Sequence, residues 1–92
     1  MFSYKPILTL EFRKDADGFA YSNEIRSGLD KSVSFILKNP YHKAVKVKGV
    51  SGLLRKHVCA NRFRIFYFVN EVKKEIICAH FRPKDKNTYK NL

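Results

Sequence analysis

The sequence predicts an α+β domain built from one strand, two helices and a meander of strands, and three observations predict it. Ile25, Leu29, Val33, Ile36 and Leu37 recur at spacings of four, four, three and one, which is one apolar stripe on a helix. After Asn39-Pro40 the apolar period changes from 3.6 to 2. From Leu53 onward, three segments rich in aromatic and β-branched residues follow one another with only short polar interruptions.

Taken in order, Ile7-Leu8-Thr9-Leu10-Glu11-Phe12 has the alternation of a short strand led in by Pro6. Arg13-Lys14-Asp15 then changes direction, with Asp15 or Asp17 as the cap of a short helix that Gly18 weakens. The stronger helix starts at Ser22 or Asn23 and ends at Asn39, because the residue before a proline is pushed out of the helical region. Ala44, Val45 and Val47 alternate with lysines before the glycine-bounded loop Gly49-Val50-Ser51-Gly52. Leu53 to Cys59, Arg62 to Val69 and Lys74 to Phe81 read as the three strands of the meander.

The turns allow a register. With Ala60-Asn61 as a two-residue hairpin loop, Cys59 faces Arg62, His57 faces Arg64, Arg55 faces Phe66 and Val58 faces Phe63. One face then receives Arg55, His57, Arg62 and Arg64, and the other receives Leu54, Val58, Phe63, Ile65, Tyr67 and Val69, ready to pack on the amphipathic helix. The connection around Asn70-Glu71-Val72-Lys73 leaves two positions open for His80, on the cationic face or in the core. Phe66 and Phe68 fall farther along the cationic face, where two exposed phenylalanines make an adhesive patch for the C-terminal segment or a partner.

Ninety-two residues, 45% apolar with eight Phe and five Tyr, are enough for one core and too few for two, so residues 1–92 read as a single domain. The formal charge is +11 and lopsided: residues 41–92 hold thirteen Lys and Arg against three acids, residues 1–40 six against five. Such a field attracts polyanions, RNA and DNA first among them. Cys59 and Cys78 have no CxxC spacing and read as small buried apolar groups. Together with His42, His57 and His80 they show no zinc-site spacing, so no metal or other cofactor is expected. No stretch approaches eighteen apolar residues and the N-terminus lacks a signal-peptide pattern, which argues against a membrane and for the cytoplasm.

The most informative feature is Arg64 inside the apolar run Phe63-Arg64-Ile65-Phe66-Tyr67. Withdrawing a guanidinium from water costs several kcal/mol unless an anion or acceptor meets it, roughly the effective penalty per ion in proteins. A structural ion pair would meet that need with one of the few nearby acids; a bound phosphate is the functional alternative.

This strand, the helical pair ending at Asn39-Pro40, the loop entry Lys46-Val47-Lys48-Gly49 and the basic tail closing on Tyr89 together resemble the RelE/ParE superfamily of bacterial and archaeal toxin–antitoxin toxins, closest to the RelE branch. The resemblance runs through most of the chain, and the aromatic-Arg-apolar-x-Tyr strand is its most specific part. It implies a compact RelE-like fold, a helical hairpin packed on a mainly antiparallel twisted sheet. It also implies a ribosome-dependent, metal-independent endoribonuclease that cuts messenger RNA in the A site, leaving a 2′,3′-cyclic phosphate. Its partners would be a cognate acidic antitoxin and the ribosome with its mRNA, and the isolated toxin would be a monomer.

Carried onto this sequence, the resemblance assigns Arg64 to the scissile phosphate, where a planar fork of donors can hold two oxygens. The RelE branch has lysines at the positions of Arg55 and His57, so this chain departs from the pattern there. His57 is then a candidate base with a surface imidazole as the alternative, and Arg55 a phosphate contact, since guanidinium does not deprotonate. Arg82 or Lys84 corresponds to the late basic residue, Lys84 as an acid or Arg82 as a charge stabiliser. Tyr89 would stack on the nucleotide or simply cover the sheet. Lys46, Lys48, Lys56, Arg62 and Lys86 are candidate RNA contacts, and Phe66 and Phe68 candidate antitoxin contacts. Two further readings stay open on the same fold, a ParE-like inhibitor of DNA gyrase and a non-catalytic RNA-binding domain.

Overall fold

The computed structural model describes residues 4–58 and 62–84. The order of elements is β1 (Lys5–Leu8), α1 (Leu10–Phe19), α2 (Asn23–Lys38), β2 (Val45–Lys46), β3 (Leu54–Val58), β4 (Phe63–Asn70) and β5 (Glu75–Pro83). The strands form one sheet in the order β1-β5-β4-β3-β2, antiparallel except for the parallel pair β1–β5. The architecture is α+β, as the sequence indicates.

The N-terminal strand is shorter than expected. It ends at Leu8, and Thr9 caps α1: its backbone is extended and its hydroxyl oxygen accepts the Phe12 N–H at 3.1 Å. The same hydroxyl faces the carbonyls of Cys78 and Ala79 at 3.0 and 3.1 Å, which pins the helix start to β5. Leu10 and Phe12 therefore belong to the helix, with Phe12 buried, and neither Asp15 nor Asp17 is a cap. An alternating run of six suits a strand or the first turns of a helix equally, and a cap that also bonds the sheet decides for the helix.

The second helix agrees with its apolar stripe. Ser22 Oγ accepts the Ile25 N–H at 3.2 Å, Glu24 and Lys38 complement the helix dipole, and Ile25, Leu29, Ile36 and Leu37 are buried. They meet a core face made of Leu54, Val58, Phe63, Ile65, Tyr67, Ile76, Cys78 and Phe81. Phe63 and Phe81 stack at 5.0 Å between centroids. The Tyr67 hydroxyl, fully inside, donates to the Pro40 carbonyl just beyond α2. Cys78 is buried as expected, which pushes its thiol up to about 12; Cys59 lies outside the described residues.

At the far end of the β4–β5 hairpin, Glu71 accepts hydroxyl hydrogens from Tyr4 and Tyr41, each at 2.8 Å, and sits 3.3 Å from Lys74 Nζ. The Tyr4 and Tyr41 hydrogen bonds hold its carboxyl below the ordinary range. No helix among the described residues is long and apolar enough to cross a membrane.

Candidate active site

The β3–β4 pairing matches the register drawn from the sequence, with His57 opposite Arg64, Arg55 opposite Phe66 and Val58 opposite Phe63. On the other side of β4, Arg64 pairs with Arg82 and Phe66 with His80. Directly paired residues share a face, so His57, Arg64 and Arg82 form one row and Arg55, Phe66 and His80 the next. Adjacent strands lie about 5 Å apart, so each row spans roughly 10 Å.

A β-bulge between Phe66 and Tyr67 makes the second row possible. Tyr67 pairs with Cys78, leaving Ala79 as the extra residue, so Cys78 stays in the core while His80 turns to the cationic face. The position that the sequence left open is thereby fixed.

Arg64 is buried, with 6% of its surface exposed, at the centre of its row. His57 at one side is exposed. Its Nε2 lies 2.7 Å from Arg55 Nη1. A guanidinium can only donate, so this nitrogen is the acceptor and the ring is neutral with its hydrogen on Nδ1. Partial burial, then the charges of Arg64, Arg55 and Lys84, lower the His57 pKa below its usual value. Lys84 is exposed and its backbone N–H donates to the Arg62 carbonyl at 2.8 Å, which carries the end of β5 alongside the start of β4.

Several expected contacts are elsewhere. Phe66 is fully buried and cannot be an antitoxin contact, while Phe68 is half-buried. The His80 ring stands edge-on to Phe66 at 6.4 Å, and the loop before β3 closes in so far that a Cβ on Gly52 would meet Phe68 Cδ1 at 3.8 Å. The near-continuous apolar run of β4 is the signature of a central strand covered on both faces. Gly49 and Gly52 shape that loop with φ of 85° and 78°, values an L side chain rarely adopts.

Lys56 pairs with Ile65 and so lies on the helical side, away from Arg64. Its ammonium rests 3.9 Å over the Phe35 ring and donates to the His42 carbonyl at 3.1 Å, beside Lys43. Arg62 precedes β4 instead of extending its cationic face, and ion-pairs with Glu24 of α2 at 3.1 Å. Lys46 and Lys48 are exposed at the β2 edge. Tyr89 and Lys86 lie outside the described residues. His80, which the sequence did not assign, joins this face, and its signal was the one-residue mismatch between the patterns of β4 and β5.

No protein-family model matches the sequence, and no curated protein does. Solved structures do match. A chain of the intact E. coli RelBE toxin–antitoxin complex aligns with a TM-score of 0.75 and 17% identity over 90% of this chain and 99% of that one. The RelBE2 toxin–antitoxin complex of Mycobacterium tuberculosis gives 0.73 and 12%, over 89% and 99%. The RelE–RelB complex of Pyrococcus horikoshii OT3 gives 0.69 and 15%, over 91% and 98%. The chain has the RelE fold.

Proposed function

We propose that this chain is the toxin of a type II toxin–antitoxin pair, a cytoplasmic, metal-independent endoribonuclease that cuts messenger RNA in the ribosomal A site. The likeness in fold to RelE toxins supports the class. The observation that carries the chemistry is the His57–Arg64–Arg82 row, with Lys84 in electrostatic reach of its exposed end.

In this reading the ribose 2′-oxygen attacks the adjacent phosphorus as its proton passes to a base. The O2′–P bond forms and the P–O5′ bond breaks, giving a 2′,3′-cyclic phosphate and a 5′-hydroxyl once an acid returns a proton to O5′. Arg64 and Arg82 hold the non-bridging oxygens, where charge gathers in the transition state. His57 is the candidate base. Arg55 occupies its Nε2 in the resting protein, and an arriving phosphate competes for that guanidinium, releasing the lone pair where the base is needed. Lys84 is the candidate acid, and Tyr89 would stack on the nucleotide. An acidic antitoxin segment would occupy the same basic face.

Cleavage mapping in a reconstituted translation system tests this. Wild-type protein should give A-site breaks ending in a 2′,3′-cyclic phosphate, and His57→Gln should slow them about 10²- to 10⁴-fold, the usual contribution of one general base. Because Arg64 is buried, Arg64→Lys is the variant of choice: it keeps the charge, loses the fork and should slow cleavage without unfolding. Absence of RNA breaks alongside gyrase-dependent DNA breaks would overturn the nuclease reading.

A further inference from the structure

His80 sits where the bulge delivers it, half-buried between the edge of Phe66 and the first helix. Its Nδ1 has two neighbours of opposite character. Arg82 Nη2 lies 3.3 Å away and can only donate; Asp15 Oδ2 of α1 lies 3.7 Å away and, ionised, can only accept. One nitrogen cannot serve both at once. With a lone pair on Nδ1 it receives Arg82, and with a proton there it gives to Asp15.

Asp15 is itself fixed. Its Oδ2 accepts the Phe81 backbone N–H at 3.2 Å, and α1 is tied to the same stretch of β5 through Thr9. The carboxylate therefore cannot follow the ring, and the ring's protonation decides which neighbour it holds. The charged groups facing it are Asp15 and Glu11 from α1 and Arg82 on its own strand, with Arg64 of β4 and Arg55 of β3 flanking Phe66 on that face.

We propose that His80 is a positioning residue for Arg82: neutral, its Nδ1 holds the guanidinium in the row with Arg64, and protonated it turns to Asp15 and lets Arg82 go. Burial first, then Arg82, lowers the pKa of the ring, opposed by Asp15 and Glu11, so the neutral, holding state prevails at pH 7. The latch stands on geometry alone, and its effect on RNA rests on the proposed role of Arg82.

Long-range ¹H–¹⁵N NMR on the labelled full chain reads the latch without any activity. At pH 7.5 His80 should carry its hydrogen on Nε2, and the Arg82 side-chain signals should shift in step with His80 as pH falls to 5. A His80 hydrogen on Nδ1 at pH 7.5, or Arg82 signals that ignore the His80 titration, would overturn the proposal. His80→Asn keeps an acceptor near Nδ1 but takes up no proton, and should make the Arg82 signals independent of pH over that range. As the functional arm, affinity for a 2′-O-methyl RNA oligonucleotide, read by anisotropy, should fall about tenfold in wild type between pH 7.5 and 5, the scale of one charged hydrogen bond. His80→Asn should remove most of that change; a slope equal to wild type would overturn the positioning role. If the NMR latch operates but wild type cuts no RNA at any pH, the nuclease reading fails and the latch survives.

Discussion

Replacing Tyr67 by Phe removes one hydroxyl from the middle of the sheet, and the structure gives the cost. The ring is fully buried and fills the same space in the variant, so no cavity opens. What is lost is the hydrogen bond to the Pro40 carbonyl, leaving a buried acceptor without its donor. Stranding such a group costs about 1–3 kcal/mol. In a domain of this size that lowers the melting temperature by about 4–8 °C per kcal/mol. Tyr41→Phe is the control, because it deletes the same hydroxyl from a residue 55% exposed, where water replaces the bond to Glu71 and the change stays within about 0.5 kcal/mol. Urea unfolding followed by circular dichroism, with equal m-values required, compares the two. A Tyr67→Phe loss no greater than that of Tyr41→Phe would show that the bond to Pro40 does not anchor the end of α2.

Phe66→Ala should cost about 3–5 kcal/mol, the range for emptying a buried aromatic site, whereas a solvent-facing partner contact would cost almost nothing; the urea midpoint separates the two. Arg55→Met removes one of the charges that lower the pKa of His57, so that pKa should rise; a fall in the NMR titration would contradict the assigned contact. Stability should drop on acidification. His57 and His80 have folded pKa values below the unfolded 6.5, so in that window the unfolded chain binds more protons. Their contribution is complete above about 6.5 and is lost as pH falls through the folded values; a melting temperature unchanged between pH 7.5 and 5 would refute this.

The segregation of Arg55, His57 and Arg64 from Leu54, Val58 and Ile65 made the β3–β4 register legible, because a slip of one residue would bury guanidinium groups. That same register put Lys56 opposite Ile65, so charge alone was a poor guide to its role. The first helix was hidden because Thr9 caps it while bonding carbonyls nearly seventy residues away. Burial of Phe66 was hidden because His80, brought round by the next strand, stands edge-on to it. The position of His80 depended on one unpaired residue; the step from Ile76 and Cys78 to Phe81 marks that a residue is extra, but not which partner strand the ladder skips against.

The extra residue in β5 also reverses parity along the strand. Before Ala79 the even-numbered side chains, Ile76 and Cys78, face the core; after it the odd-numbered Phe81 does. Excising Ala79 would thus leave a regular ladder, with Cys78 still inward opposite Tyr67, His80 outward opposite Phe66 and Phe81 inward, and would remove only the local bend and the Ala79 carbonyl that faces the Thr9 hydroxyl. Length at this one point is therefore free to change by a residue, whereas Cys78 and Phe81 are held to the interior and His80 and Arg82 to the opposite side.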